Sequence, residues 1–176
     1  MSTHPANIDE SFENDPKDGL LRRKSPTRKD GRRRPKNRIA RLTPAKLRIV
    51  AGQMGGRRIH YNGDPDTRPM KEKTREAVFS LLGGYLDGYF AIDLFAGTGI
   101  LGFEAISRGA CGALLLELSR PTVTTLLSNM RLLELDARVE VQNVDTLRWL
   151  KNAAQRTETL PTCPWLVFCC PPYALW

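Results

Sequence analysis

The chain has 176 residues, 41% hydrophobic and 26% charged, with a formal net charge of +8. These values are typical of one globular domain with a charged extension, and no run approaches the roughly 18 uninterrupted apolar residues of a membrane span. The N-terminus shows no secretory signal. The spacing of the four cysteines fits no disulfide framework, and their apolar surroundings predict small buried thiols in a reducing cytoplasm. They are Cys111, Cys163, Cys169 and Cys170.

Positive charge is concentrated in residues 1–46, which hold 13 Lys and Arg against 6 Asp and Glu. The remaining residues, 47–176, hold 14 against 13. Prolines and a glycine interrupt the basic segment, and it has few apolar residues to bury, so we expect a disordered arm. Such an arm can neutralise nucleic-acid phosphates and release their counterions. A solvated leader without a dedicated ligand is the alternative.

The domain that follows is predicted to open with a β-hairpin. Its strands are expected at about 47–52 and 57–61, around a turn that contains Gly55 and Gly56. Residues 62–69 are rich in turn-forming types, and "MKEKTREAVFSLL" has the acidic start and apolar spacing of a helix. Gly83 and Gly84 are predicted to end that helix.

Strand-length and helix-length segments then alternate to the end of the chain. "YFAIDLF", "GALLLEL", "RVEVQNV" and "PWLVFCC" are apolar and short, whereas "ILGFEAISRGA", "RPTVTTLLSNMRLLEL" and "DTLRWLKNAAQ" have helical length and spacing. Strands that are apolar on both faces indicate a parallel sheet covered by helices on each side. We therefore predict an α/β fold in which a hairpin and a helix precede four parallel strands.

A glycine-rich turn joins the first of these strands to its helix. Gly97, Gly99 and Gly102 match the dinucleotide fingerprint G-x-G-x-x-G, so an NAD-dependent oxidoreductase must be considered. Asp93 stands just before this turn, where its charge would repel a pyrophosphate and attract an ammonium group. Glu117 ends the next strand, where an acid can accept both ribose hydroxyls. The two acids favour S-adenosylmethionine over NAD.

Two further segments are predicted at the same carboxyl edge of the sheet. Asp145 could accept from an adenine amino group, and it is equally suited to cap the helix that follows. "CCPPY" follows the fourth strand: the carbonyls near Pro171 and Pro172 can accept hydrogen bonds, and Tyr173 can stack on a base. This combination suits a planar ring that carries an NH2 group.

Five segments together match one known family: "RIVAGQMGGRRI", "TRPMKEKTREAVFSLL", "IDLFAGTGILGFEAISRGA", "LLLEL" and "PPY". On these segments, from Leu47 to Tyr173, the chain resembles the small-subunit (16S) rRNA guanine-N2 methyltransferases, a Rossmann-like class I family that uses S-adenosylmethionine. The resemblance implies methyl transfer to a guanine exocyclic amine in RNA. By matching position it implies that the cofactor is held by Asp93, Phe95, Gly97, Gly99 and Glu117. It places Arg68 and Arg75 near the RNA or the active-site entrance, although ion pairs on a helix face explain Arg75 equally well.

The sequence departs from the family pattern at two points. The family has Asp or Asn before Pro-Pro and an aromatic residue, whereas this chain has Cys170, a weak acceptor that we expect to be buried and inert. A nucleophilic Cys170 is the minor alternative. The sheet is also predicted to be cut short after the fourth strand, which leaves an apolar edge that a protein partner could cover.

Three functions are therefore considered for a cytoplasmic protein. The first is methylation of small-subunit rRNA or an assembly intermediate, with Cys170, Pro171, Pro172 and Tyr173 as the catalytic segment. The second is an impaired or inactive relative that only binds RNA or a partner. The third, an NAD-dependent oxidoreductase, is disfavoured by Asp93. No Cys and His set has the spacing of metal ligands, so no metal is predicted. His60 is expected to pack or face solvent, and Trp149 and Trp165 to lie in the core.

Overall fold

A computed structural model of the protein describes residues 12–14, 21–23, 45–152 and 160–172. The chain divides into two compact units, Met1–Arg38 and Ile39–Trp176. In the first unit, β1 (Phe12–Asn14) and β2 (Leu21–Arg23) form an antiparallel pair. The sequence predicts no strand there. The disorder expected of residues 1–46 stays a prediction, since most of that arm lies outside the described residues.

The second unit begins with the predicted β-hairpin. Strands β3 (Ala45–Arg48) and β4 (Arg58–Tyr61) pair antiparallel, with Lys46 opposite His60. The first strand thus starts two residues before the predicted start at 47 and ends four residues before the predicted end at 52. Residues 49–52 leave the ladder because Ile49 already exchanges backbone hydrogen bonds with Arg57 and Gly56, which closes the turn.

Helix α1 (Glu72–Leu81) follows and ends before the two glycines, as predicted. The chain then enters a parallel sheet of β5 (Phe90–Asp93), β6 (Gly112–Glu117), β7 (Val139–Asn143) and β8 (Trp165–Phe168), in the order β7-β6-β5-β8. Helices α2 (Ile100–Ser107), α3 (Arg120–Leu132) and α4 (Thr146–Lys151) connect these strands. The predicted α/β class is confirmed.

Two hydrophobic clusters cover the two faces of the sheet. On one face Leu115 packs with residues of the hairpin, α1, α2 and α3, among them Ile59 and Phe79. On the other face Leu114 and Leu116 pack with Trp149 of α4. Successive β6 residues thus face opposite layers, which explains why the strand is apolar on both sides. None of the described helices has the length and apolar character needed to span a membrane.

Two predictions about the core are wrong. Trp149 is buried as expected, but Trp165 is 40% exposed because it starts β8, an edge strand of the described sheet. Its indole N–H donates to the Pro161 carbonyl at 2.8 Å. The cysteines are not buried either: Cys163 is partly exposed and the other three are exposed. They lie next to the apolar strands, outside the bounds of β6 and β8.

A buried carboxylate of α2 ties the hairpin turn to that helix. Glu104 of α2 is fully buried and accepts the backbone N–H of Val50 at 2.7 Å and that of Ala51 at 3.0 Å. Its Oε1 also accepts Nε of Arg108 at 3.1 Å and Nη2 at 3.0 Å. The Arg108 guanidinium stacks 4.7 Å from the centre of the Phe79 ring. The Glu104–Arg108 pair therefore joins the hairpin turn, α1 and α2.

Arg75 completes this cluster from α1. It is 1% exposed, and its guanidinium donates to the carbonyls of Met70 at 2.8 Å and Arg48 at 2.6 Å. Its Nε lies 4.0 Å from Glu104 Oε2. Burial lowers the pKa of Arg75, and the nearby Glu104 charge opposes that shift. Its burial corrects the prediction that Arg75 lies near the RNA or the active-site entrance, and its ion pair lies in the core instead of on an exposed helix face.

Glu104→Gln is expected to destabilise the fold strongly. Every partner of the carboxylate is a donor, so the new amide NH2 would face N–H groups and leave Arg108 buried without a countercharge. Losing one member of a buried pair costs about 3–5 kcal/mol, which we expect in denaturant unfolding. The exposed Glu134→Gln is the matched control and should change stability by less than about 0.5 kcal/mol. Equal effects of the two substitutions would contradict this role of Glu104.

Candidate active site

A cavity of about 990 Å³ opens at the carboxyl edge of the parallel sheet. It is lined by the turn after β5, the ends of β6 and β8, the start of α4, and the loop between β4 and α1. The structure brings most of the predicted site residues together here: Arg68, Asp93, Phe95, Gly97, Glu117, Asp145, Cys170, Pro171 and Pro172. Gly99 and Arg75 do not line the cavity, and Tyr173 lies outside the described residues.

Asp93 is a buried acid in the cavity wall. It is 1% exposed, and its Oδ1 has no hydrogen-bond partner among the described residues. Burial raises the pKa of Asp93 to about 7, an effect that the Phe95 backbone N–H opposes and the Glu117 charge increases. Burial penalises the ionised form of a carboxyl group, and a bound cation offsets that penalty. A cationic group at this position would therefore favour ionised Asp93.

The glycine turn positions this wall but leaves few amides for a ligand. Gly97 has φ of 49° and its N–H donates to Glu117 Oε2 at 2.8 Å. Gly99 has φ of 72° and its N–H donates to the Ala96 carbonyl at 2.7 Å. A Cβ on Gly99 would lie 2.5 Å from Leu126, so this glycine is needed for packing. The cofactor contact that the resemblance implies for Gly99 stays a prediction.

Glu117 and Asp145 place two further carboxylates at the same edge. Glu117 accepts from the N–H of Gly97 and that of Ser119, each at 2.8 Å on a different oxygen. Since a carboxylate oxygen can accept more than one hydrogen bond, both remain able to receive hydroxyls. Asp145 caps α4 through Oδ1, which accepts from Leu147 at 2.8 Å and Arg148 at 3.2 Å. The predicted N-cap is confirmed.

The loop between β4 and α1 forms a wall that sequence analysis did not identify. The Tyr61 hydroxyl donates toward the carbonyls of Asp64 at 2.6 Å and Thr67 at 2.7 Å. Asp64 Oδ2 accepts from the hydroxyls of Ser119 at 3.2 Å and Thr122 at 3.0 Å. These contacts tie the loop to both the hairpin and α3. Burial and the charge of Asp64 raise the pKa of Tyr61, which keeps the hydroxyl protonated as a donor.

Cys170 lies where β8 delivers the Pro171-Pro172 segment to the cavity. Its thiol is exposed, which corrects the expectation of a buried side chain. Partial desolvation and the nearby Asp93 and Cys169 nevertheless raise the pKa of Cys170. A protonated thiol is a weak nucleophile and a weak acceptor, so the structure offers no support for covalent catalysis by Cys170. In the described part of the chain, no group of three or more His, Cys, Asp or Glu side chains could hold a metal ion.

The family assignment follows from comparison with known proteins. The model of a family described as conserved hypothetical protein 95 matches residues 47–175. The chain belongs to this family. It is 36% identical over 129 residues to ribosomal RNA small subunit methyltransferase D of Buchnera aphidicola, covering 73% of this chain and 64% of that protein. The chain thus spans somewhat less than two thirds of that curated relative.

Solved structures give the same fold. A putative methyltransferase, yhhF, from Escherichia coli superimposes with a TM-score of 0.54 at 32% identity, covering 60% of this chain and 56% of that one. A hypothetical protein from Thermus thermophilus gives a TM-score of 0.60 at 29% identity, covering 73% and 70%. The resemblance inferred from the sequence motifs is confirmed at the level of family and fold.

Asp93→Asn is expected to stabilise the ligand-free protein above neutral pH. Between the unperturbed pKa of 3.8 and about 7, the unfolded chain ionises this carboxyl while the folded protein keeps its proton. Asp93 therefore lowers stability as pH rises, and the loss is complete above about pH 7. The neutral amide removes most of this penalty, so we expect a gain of about 2–4 kcal/mol at pH 8 and a smaller gain at pH 5.

Chemical denaturation at both pH values measures this difference. Asp136→Asn replaces an exposed carboxylate and serves as the control. A loss of stability at pH 8 would show that the Asp93 carboxylate makes structural bonds that an amide cannot replace.

Proposed function

We propose that this chain binds S-adenosylmethionine at the carboxyl edge of its sheet and that the protein methylates the exocyclic N2 amine of a guanine in small-subunit rRNA. The observation that carries the proposal is the buried, unpartnered oxygen of Asp93 in an acid-lined cavity. The cavity is lined by five acids, Asp64, Asp66, Asp93, Glu117 and Asp145, against the two bases Arg68 and Lys71. This balance suits a cationic ligand.

The competing dinucleotide interpretation is weakened by the same geometry. A pyrophosphate is normally held by free backbone N–H groups of the glycine turn at a helix N-terminus. Here the amides of Gly97 and Gly99 are bonded to Glu117 and Ala96, and that of Ile100 donates to the Thr98 hydroxyl at 3.4 Å. Asp93 adds a negative charge beside them.

Individual residues of the cavity fit individual groups of S-adenosylmethionine. We assign Asp93 to the ammonium group of the amino-acid end, Glu117 to the ribose hydroxyls, and Asp145 to the adenine amino group, with Phe95 along the same wall. When bound, the cofactor supplies a methyl group made electrophilic by its sulfonium. The backbone carbonyls near Pro171 and Pro172 would accept from the guanine amine and orient it, and Tyr173 would stack on the base. A cytoplasmic location agrees with this substrate.

The hairpin offers a surface suited to RNA. Lys46, Arg48, Arg58 and His60 are all exposed on one face, and Arg48 lies directly opposite Arg58. Like charges opposite each other destabilise a strand pair, so the arrangement favours binding of an anion. Glu72 neutralises part of this charge through its 2.8 Å ion pair with Arg48. We assign the hairpin face, Arg68 and the basic arm to RNA.

A second function is favoured by one observation, the thiol at position 170. With a weak acceptor in place of Asp or Asn, the protein could hold RNA or an assembly intermediate without transferring a methyl group. Binding of a partner protein at the β8 edge also remains a prediction. Cofactor binding and methyl transfer therefore need separate tests.

Calorimetric titration with S-adenosylhomocysteine tests the cofactor site. We expect micromolar binding above pH 7 and a fall of up to about tenfold per pH unit below it, because protonated Asp93 cannot pair with the ammonium group. Asp93→Asn should weaken binding at least about tenfold at pH 8 and flatten its pH dependence. NAD is the control ligand and should not bind. Equal affinity for NAD, or no binding by folded protein, would refute the proposal.

Cys170→Asn tests catalysis. Restoring a strong acceptor is expected to raise radiolabelled methyl transfer to small-subunit rRNA by about 10²–10³, by analogy with deleted oxyanion-hole donors. Cys169→Asn, one residue earlier, should leave the rate unchanged. Both variants should bind S-adenosylhomocysteine as the unmodified protein does. Cofactor binding without transfer in any variant would favour the binding-only function.

A further inference from the structure

Two cysteines meet at the amino edge of the sheet, opposite the edge that carries the cavity. Cys111 directly precedes β6, and Cys163 lies two residues before β8. Their Sγ atoms are 3.7 Å apart. A disulfide bond requires an approach of roughly 1.7 Å more, which small side-chain rotations can supply. Cys111 is exposed and Cys163 partly exposed, so an oxidant can reach both.

The backbone holds this pair in place. The N–H of Cys111 donates to the Tyr89 carbonyl at 2.8 Å, and the N–H of Phe90 donates to the Pro164 carbonyl at 2.9 Å. Phe90 starts β5, the strand between β6 and β8. Both cysteines are therefore anchored on either side of the same strand end. Two thiols fixed in this way have a high effective concentration for each other.

We propose that Cys111 and Cys163 are a redox modification site that forms a reversible disulfide with a low-molecular-weight disulfide such as oxidised glutathione as the electron acceptor. One thiolate attacks the oxidant to give a mixed disulfide and releases one glutathione thiol. The second thiolate then displaces the other glutathione. Two electrons and both cysteine protons pass to the oxidant, and one Sγ–Sγ bond is formed. This inference is independent of the proposed function.

The pair is more compatible with this slow, paired reaction than with a single reactive cysteine. Partial desolvation and the neighbouring Cys163 sulfur raise the pKa of Cys111. Little Cys111 thiolate is present at neutral pH, which disfavours its rapid modification by itself. The intramolecular disulfide is favoured because the two sulfur atoms are close together, and not because either thiol is unusually reactive.

The bond would reinforce the strand that leads to the catalytic segment. Within the described sheet, β8 is hydrogen-bonded only to β5, and Val167 of β8 is 49% exposed. A Cys111–Cys163 link would connect the start of β8 to β6 and join residues that are 52 positions apart in the sequence. From loop-closure entropy we expect the midpoint of thermal unfolding to rise by about 5 °C or more.

The test is oxidation of the full chain with glutathione disulfide, alkylation of free thiols, and peptide mapping without reduction. We expect a Cys111–Cys163 peptide, a raised unfolding midpoint, and reversal of both by dithiothreitol. Cys111→Ser and Cys163→Ser should each abolish the linked peptide and the shift. Cys169→Ser, which removes another exposed thiol, should retain both.

Three outcomes would overturn the inference. The first is persistence of free Cys111 and Cys163 in excess oxidant. The second is a stable glutathione adduct, an intermolecular link or a Cys169–Cys170 bond in place of the expected peptide. The third is a linked peptide whose unfolding midpoint matches that of the reduced protein, which would show that the bond does not reinforce the fold. Mapping of the unmodified protein decides the first two even if a variant fails to fold.

Discussion

The buried carboxylate of Glu104 is the interaction on which the rest of the structure depends. It accepts two backbone N–H groups from the hairpin turn and two from Arg108, and Arg75 approaches it from α1. Without it, two buried guanidinium groups would lose their countercharge and two backbone amides their acceptor. The loop that walls the cavity runs directly from the hairpin to α1. The position of that wall therefore depends on a carboxylate of the fully buried helix α2.

The cavity shows the opposite use of a buried charge. Glu104 is fully matched by its partners and stabilises the fold, whereas Asp93 is left with an unpartnered oxygen and a pKa near 7. A site that is complementary to a bound cation is expected to be strained when that cation is absent. Glu104 therefore stabilises the fold, whereas Asp93 is suited to bind a ligand.

The sheet, its helices and the acids at the strand ends can be predicted from the sequence, because they rest on local patterns. Apolar strands, helix-length segments and the acids at strand ends fix the sheet and its carboxyl edge. The residues whose positions could not be predicted are those that depend on contacts between distant parts of the chain. Arg75 on a helix is typical of a surface residue, and its burial depends on a carbonyl 27 residues away. Asp64 contacts hydroxyls 55 and 58 residues downstream, which no local pattern indicates.

Tyr61 connects the hairpin with the loop that walls the cavity. It is the last residue of β4, on the buried face of the hairpin, and its hydroxyl holds two carbonyls of the cavity loop. A ligand that displaces β4 must also displace that loop, and a ligand that rigidifies the loop must also rigidify β4. Such coupling is reciprocal in free energy. Binding at the hairpin face and binding in the cavity, both proposed above, are therefore expected to influence each other.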